Sequence, residues 1–207
     1  MIKILNTIAG MRNFSFRLFL FLTLSGFISA FSQSKSNLEI FFSQIDSVGM
    51  QIQQSIKDNN VEMRINFLSS PEYSILENRL NSYLIKNGVK VLQNSDLPSS
   101  LNFTITQAIV KYNDSFRDGL FGDILVERNI SLIGNFIIPT KNISNDFSFS
   151  FMDTVKYDKL NEIENRAYPF TQNTYPSEPF FSNLIEPVIA IGAAATAVIL
   201  FFTIRSK

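Results

Sequence analysis

Few residues in this chain are equipped for chemistry. There is no His and no Cys among the 207 residues. The commonest general base, the commonest zinc ligand and the thiol nucleophile are therefore absent together. A hydroxyl nucleophile would need a lysine or a carboxylate as its base. Lys86, Lys90 and Lys111 have no serine at a recognisable spacing, so a Ser–Lys hydrolase is a remote expectation. Asp114, Asp118 and Asp123 crowd one loop and raise the question of calcium. Their spacing fails the calcium-loop pattern, because Phe116 occupies the third position counted from Asp114. A solvated turn is expected instead. Gly119 and Gly122 share that loop, but no Gly-Lys-Ser/Thr follows to cradle a phosphate. The residue types point to a chain with no catalytic residues, no metal site and no cofactor.

One residue breaks a pattern. Ile124, Val126, Ile130, Leu132, Phe136 and Ile138 share one parity of a long strand, and Arg128 shares it with them. Its expected place is the rim of the sheet, with the stem packed and the head in water. A buried ion pair with Glu62 or Asp153 is the alternative.

The elements that position these residues follow from periodicity. Leu38, Phe41, Phe42, Ile45, Val48, Ile52 and Ile56 recur at helical spacing over about residues 37–58. Val61 to Phe67 alternates at period two and reads as a strand. Ser70 and Pro71 suit a helix start, and Ser69 with Glu72 has capping-box spacing. Tyr73, Leu76, Leu80, Tyr83 and Leu84 form the buried stripe of that helix, and Asn87-Gly88 ends it. Val89 to Leu92 is a short strand, and strand–helix–strand with short joints predicts a parallel pair. A strand from Leu101 to Tyr112 changes phase near Thr106-Gln107, as a β-bulge would require. A turn over Asn113–Asp123, the long strand over 124–138, a turn over Asn142–Asp146 and a strand through Phe147, Phe149 and Phe151 complete an antiparallel meander. A short helix is expected over about 157–167. The fold class is α+β: an α-β-α-β-β-β-β sandwich with helices on one face of a mixed sheet, plus a C-terminal transmembrane helix.

The run VEMRINF, the helix ILENRLNSYLIKNG and the strand VKVLQ, followed by a strand–turn–strand, carry a resemblance over about residues 37–138. The chain resembles the periplasmic α/β domains of the curli-secretion, TolB amino-terminal and flagellar-assembly outer-membrane lipoprotein group. The resemblance implies the same fold and an accessory role in the envelope. It carries over no functional residue. The chain departs from the group in having no lipidated Cys and in carrying Ser99-Ser100-Leu101-Asn102 where an Ala-Asp is typical.

The two ends read as targeting and anchoring. Residues 1–34 look like a signal peptide or an uncut signal anchor, with Lys3, Arg12 and Arg17 before an apolar core at Leu18–Ala30. Met1 and Met11 both qualify as starts. Residues 35–167 form the periplasmic domain. Pro169, Pro176 and Pro179 punctuate a tether over 168–183, either extended or partly packed back on the domain. Residues 184–204 are apolar enough to span a bilayer, and 205–207 form a basic cytoplasmic tail. Small residues Ala190, Gly192, Ala193, Ala194, Thr196 and Ala197 supply a candidate helix-pairing face, with a plain anchor as the alternative. Formal net charge is zero, which gives no electrostatic case for nucleic acid.

The expected protein is a non-catalytic scaffold or assembly accessory of the cell envelope. It is anchored in the inner membrane by a single pass after signal cleavage. Its expected partners are the membrane, an envelope protein and a second copy through the transmembrane helix. The alternatives are a small-ligand or peptide-binding sensor and, more remotely, a Lys- or carboxylate-based hydrolase.

Overall fold

The computed structural model describes residues 34–56, 62–92, 100–119, 122–179 and 185–205. Residues 1–33 of the expected signal over 1–34, the helix stop at Asp58-Asn59-Asn60, most of the turn before Ser100, residues 180–183 of the expected tether and the last two tail residues lie outside the described residues. The chain divides into residues 1–34 and residues 35–207.

Helix α1 (Asn37–Ile56) and helix α2 (Ser74–Lys86) pack on one face of a five-stranded sheet. Its strands are β1 (Glu62–Phe67), β2 (Lys90–Val91), β3 (Ser100–Arg117), β4 (Ile124–Ile138) and β5 (Ile143–Lys156). The strand order is β2-β1-β3-β4-β5. Strand β1 is parallel to both β2 and β3, and β3, β4 and β5 form an antiparallel meander. The sheet is mixed, as expected.

The helix stripes and strand parities meet in one core. Phe41, Ile45 and Ile52 of α1 and Leu76, Leu80 and Leu84 of α2 are fully buried against Leu101, Phe103, Ile130, Leu132 and Phe136. Burying such side chains is worth roughly 1.5–3 kcal/mol each, so this layer supplies the main driving force for folding. Arg79 joins the helices, donating from Nε and Nη2 to Asp46 at 2.7 and 2.5 Å while lying 5.3 Å from the centre of the Phe42 ring. Gly88 ends α2 with a φ of +90°, the left-handed geometry expected of it.

The bulge stands where the phase change placed it, between Ile105 and Gln107. Gly134 lies opposite Ile105, and a Cβ there would sit 2.1 Å from the Thr104 carbonyl oxygen and 2.5 Å from Phe147 Cζ. The bulge draws two backbones together at a point where no side chain fits.

Several local expectations are corrected. Ser69 and Glu72 form no capping box. Ser69 Oγ instead accepts from the Ile105 amide at 2.7 Å, Ser70 makes no side-chain cap, and Pro71–Tyr73 form a 3-10 turn ahead of α2. Strand β3 runs on to Arg117 through a second irregularity between Tyr112 and Ser115, so Asn113–Arg117 is strand, not turn. The second hairpin turns over Pro139–Lys141, with Asn142 at φ 53°, and β5 begins at Ile143. The helix expected over 157–167 is a 3-10 turn, Tyr157–Lys159, followed by the single α-helical turn α3 (Leu160–Ile163). Helix α4 (Ile185–Arg205) is the C-terminal apolar helix.

Replacing Gly134 by Ala is expected to lower stability by about 2 kcal/mol, because the clash is with backbone and with a ring held in the core. A urea titration showing an unchanged midpoint would contradict this close approach.

Candidate functional site: an arginine clasp beside an open sheet

Arg128 is fully buried, so the rim position expected from its parity is overturned. The alternative with Asp153 is the arrangement found. Register places the two residues directly opposite each other on β4 and β5. Arg128 Nε donates to Asp153 Oδ1 at 2.8 Å and Nη2 to Oδ2 at 2.6 Å, the two-pronged geometry that suits a guanidinium and a carboxylate. Nη1 donates to the Lys35 carbonyl at 2.9 Å and to Asn37 Oδ1 at 2.7 Å. The guanidinium is thus satisfied on every nitrogen, which is what permits it to sit among apolar neighbours.

Asn37 relays the network. Its Nδ2 donates to Tyr112 Oη at 2.9 Å and to the Thr171 carbonyl at 2.7 Å. Burial raises the Tyr112 hydroxyl pKa far above its usual value. Burial, then the bond from its hydroxyl to Glu164 Oε2 at 2.9 Å, pushes Tyr175 up to about 12. Both hydroxyls are thereby held in their protonated form, as hydrogen-bonding groups that join segments.

The clasp gathers the start of α1, three strands and the segment that leaves the domain. That segment is not a free tether throughout. Phe170 packs edge-on against Phe41 and Tyr73, and Thr171 is fully buried. Asn173 Nδ2 donates to the Val110 carbonyl at 2.5 Å, Tyr157 Oη to the Pro176 carbonyl at 3.1 Å and Ser115 Oγ to the Ser177 carbonyl at 2.6 Å. Residues 168–177 are therefore packed back on the domain, held by aromatic burial, by the Val110 carbonyl that accepts from Asn173, and by carbonyls of the segment itself that accept from Asn37, Tyr157 and Ser115.

The sheet face away from the helices is mostly polar, with Ile137 and Met152 among its large exposed apolar residues. Thr106, Gln107, Lys111, Ser148, Ser150 and Thr154 are exposed on it. A hollow of about 330 Å³ lies at the bulge, lined by Thr106, Ile133, Gly134, Asn135, Asp146, Phe147 and Ser148. That volume is at the lower limit of small-molecule pockets.

The other marked residues do not converge. Lys86 and Lys111 are exposed, and Lys90 pairs with Glu62 at 3.2 Å on the surface. Asp123 pairs with Lys156 at 2.5 Å, and among the described residues no acidic group forms a metal-binding cluster. The six small residues of α4 are all exposed, but one continuous helix separates them. Ala190, Ala193, Ala194 and Ala197 share a side, Thr196 flanks it about 60° from Ala193, and Gly192 lies on the far side, since each residue turns about 100°. Thr196 Oγ1 donates to the Gly192 carbonyl at 2.8 Å.

No family model matches the chain, and no curated protein matches it in sequence. Similar solved structures include the rare lipoprotein B of Shewanella oneidensis, at 16% identity over 45% of this chain and 68% of that one, with a TM-score of 0.33. A minor lipoprotein from Acinetobacter baumannii shows 11% identity over 50% and 76%, at 0.34. A neuraminyllactose-binding hemagglutinin homolog from Helicobacter pylori shows 15% identity over 54% and 81%, at 0.30. Likenesses of this size decide neither a fold family nor an activity.

Changing Asp153 to Ala strands the Arg128 charge in an apolar wall. The expected loss is about 3 kcal/mol, read as a lower urea midpoint. The double change Arg128→Met with Asp153→Leu is expected to recover part of it but not all, because the Lys35 carbonyl and Asn37 Oδ1 then lack their donor.

Proposed function

We propose that this chain is a membrane-anchored envelope protein whose domain acts by binding, as a scaffold or assembly accessory, rather than by catalysis. One observation carries the reading. Pro187–Ile204 is an 18-residue apolar helix segment, none of it buried against the rest of the chain. An exposed helix of that kind needs a bilayer or another apolar surface around it. The expected arrangement follows from the charges at the two ends: export directed by residues 1–34, the domain in the periplasm, and Arg205 and Lys207 on the cytoplasmic side of the inner membrane. The accessory role also rests on the sequence resemblance to the curli-secretion, TolB and flagellar-assembly group.

The chemistry supports binding over turnover. Neither His nor Cys is available, and the lysines weighed as bases lie on open surface. The buried Arg128 cluster spends its hydrogen bonds on joining segments. Within the membrane, the side of α4 formed by Ala190, Ala193, Ala194 and Ala197 is the proposed pairing face, because small side chains let helices approach closely.

Truncation before Pro187 is expected to move the exported domain from the membrane to the soluble fraction. The chain has no Cys, so single cysteines report topology cleanly. In cells with a permeabilised outer membrane, Ser150→Cys is expected to react with an impermeant maleimide and Lys207→Cys to stay protected. The reverse labelling would overturn the orientation. In a membrane dimerisation reporter carrying α4, Ala193→Ile is expected to reduce association, while Gly192→Ile has little effect. An unchanged signal for Ala193→Ile leaves α4 a plain anchor.

A further inference from the structure

The two long margins of the meander are treated differently. Beyond its short pairing with β1, which ends at Phe103, the outer edge of β3 is occupied by side chains. Ser69 Oγ takes the Ile105 amide and Asn173 Nδ2 reaches the Val110 carbonyl. Strand β5 forms the opposite margin. It is 14 residues long, pairs with β4 without a register shift and contains no Pro. Among the described residues, no backbone hydrogen bond from another segment reaches its outer edge. A long, unbroken, uncovered edge is a template for another strand. Phe149 and Phe151 on its helix-side face are only half buried, which leaves apolar surface for an incoming strand to cover.

We propose that β5 pairs with β5 of a second copy of this chain, antiparallel about a two-fold axis at Phe151, joining two five-stranded sheets into one. Only one two-fold register sets the exposed Asp146 opposite Lys156, because those residues are equidistant from Phe151. On the helix side of that register Phe147 faces Val155 and Phe151 faces its own symmetry mate, while Phe149 lies opposite Asp153, whose carboxylate is already engaged by Arg128. On the open face, Ser148 meets Thr154 and Ser150 meets Met152. Lys156 already holds Asp123, and the mate's Asp146 adds a second carboxylate to the same ammonium. A two-fold contact is self-complementary by construction, so one strand supplies both halves. Where α4 holds the copies in one bilayer, confinement raises their effective concentration, but the pairing itself uses only the domain.

The test uses the full chain in detergent micelles and the absence of native Cys. Direct cross-strand neighbours have Cβ atoms about 5 Å apart, and diagonal ones about 7–8 Å. Ser150→Cys mixed with Met152→Cys is expected to form a disulfide-linked dimer under mild oxidation at several-fold the yield of either variant alone. The yield is expected to persist when Ala193→Ile is added, which separates edge pairing from helix pairing. Adding Ser148→Lys with Thr154→Lys sets like charges opposite each other and is expected to abolish the crosslink. Ser148→Glu with Thr154→Lys is expected to restore it. These positions are exposed, and circular dichroism checks that each variant is folded. A folded chain whose mixed sample crosslinks no better than the single variants overturns the proposal, as does equal crosslinking in the Lys/Lys and Glu/Lys backgrounds.

Discussion

A guanidinium sealed inside an apolar sheet face governs one end of this domain. Taking an ion of that size out of water costs several kcal/mol even after relaxation. The cost is tolerable only where the charge is neutralised and every donor is used. Asp153 meets both conditions from directly across the ladder, and its partial exposure keeps the carboxylate cheaper to hold than a fully buried one. The Lys35 carbonyl and Asn37 Oδ1 complete the set. Because Arg128 cannot be buried without those two groups, the chain entering α1 must pass that point. Through Asn37 the same demand extends to the Thr171 carbonyl, so the chain leaving the domain is fixed beside the chain entering it.

That coupling has a mechanical meaning. The residues that lead in from the N-terminal segment and those that lead out towards α4 both end at one clasp, on the same end of the sheet as Tyr112 and Asp153. Both connections meet short hydrogen bonds among buried groups, at Arg128 and Asn37, before they reach the apolar layer between α1, α2 and the sheet. The aromatic contacts of Phe170 with Phe41 and Tyr73 reinforce the exit in the way hydrophobic burial usually does, without direction. The clasp supplies the direction.

Much of this fold can be read from residue spacing, for physical reasons. Strand β4 alternates over its whole length because one face is buried and the other wet, so its bounds and the bulge opposite Gly134 show in the parity of Ile105 and Ala108. The end of β3 does not show. Asn113-Asp-Ser-Phe-Arg has no apolar alternation, its one large apolar residue, Phe116, being exposed, and it stays extended because β4 continues beside it. Ser69 has a capping residue's identity but a different employer, the Ile105 amide, and only the tertiary fold brings that amide near. Arg128 was visible as an anomaly, and Asp153 as a candidate partner. The deciding acceptors lie 93 and 91 residues away in sequence, beyond any local pattern. The six small residues of α4 were legible as a composition, but helix geometry divides them between two sides.

The asymmetry between the two margins of the meander follows from the clasp. Drawing residues 168–177 back across the domain brings Asn173 to β3, where its side chain fills an edge carbonyl that would otherwise face water or another chain. The segment that anchors the exit therefore also closes one margin of the meander. It does so on the β3 side, because α3 packs against the face of β4 and β5 at Val126 and Val155, and not along the outer edge of β5. Strand β5 keeps a straight edge, half-covered phenylalanines and a charge at each end. A soluble monomer with such an edge risks indiscriminate pairing. In this strand, the charges leave one self-complementary register favoured over the others, and specificity of that kind is what separates assembly from aggregation.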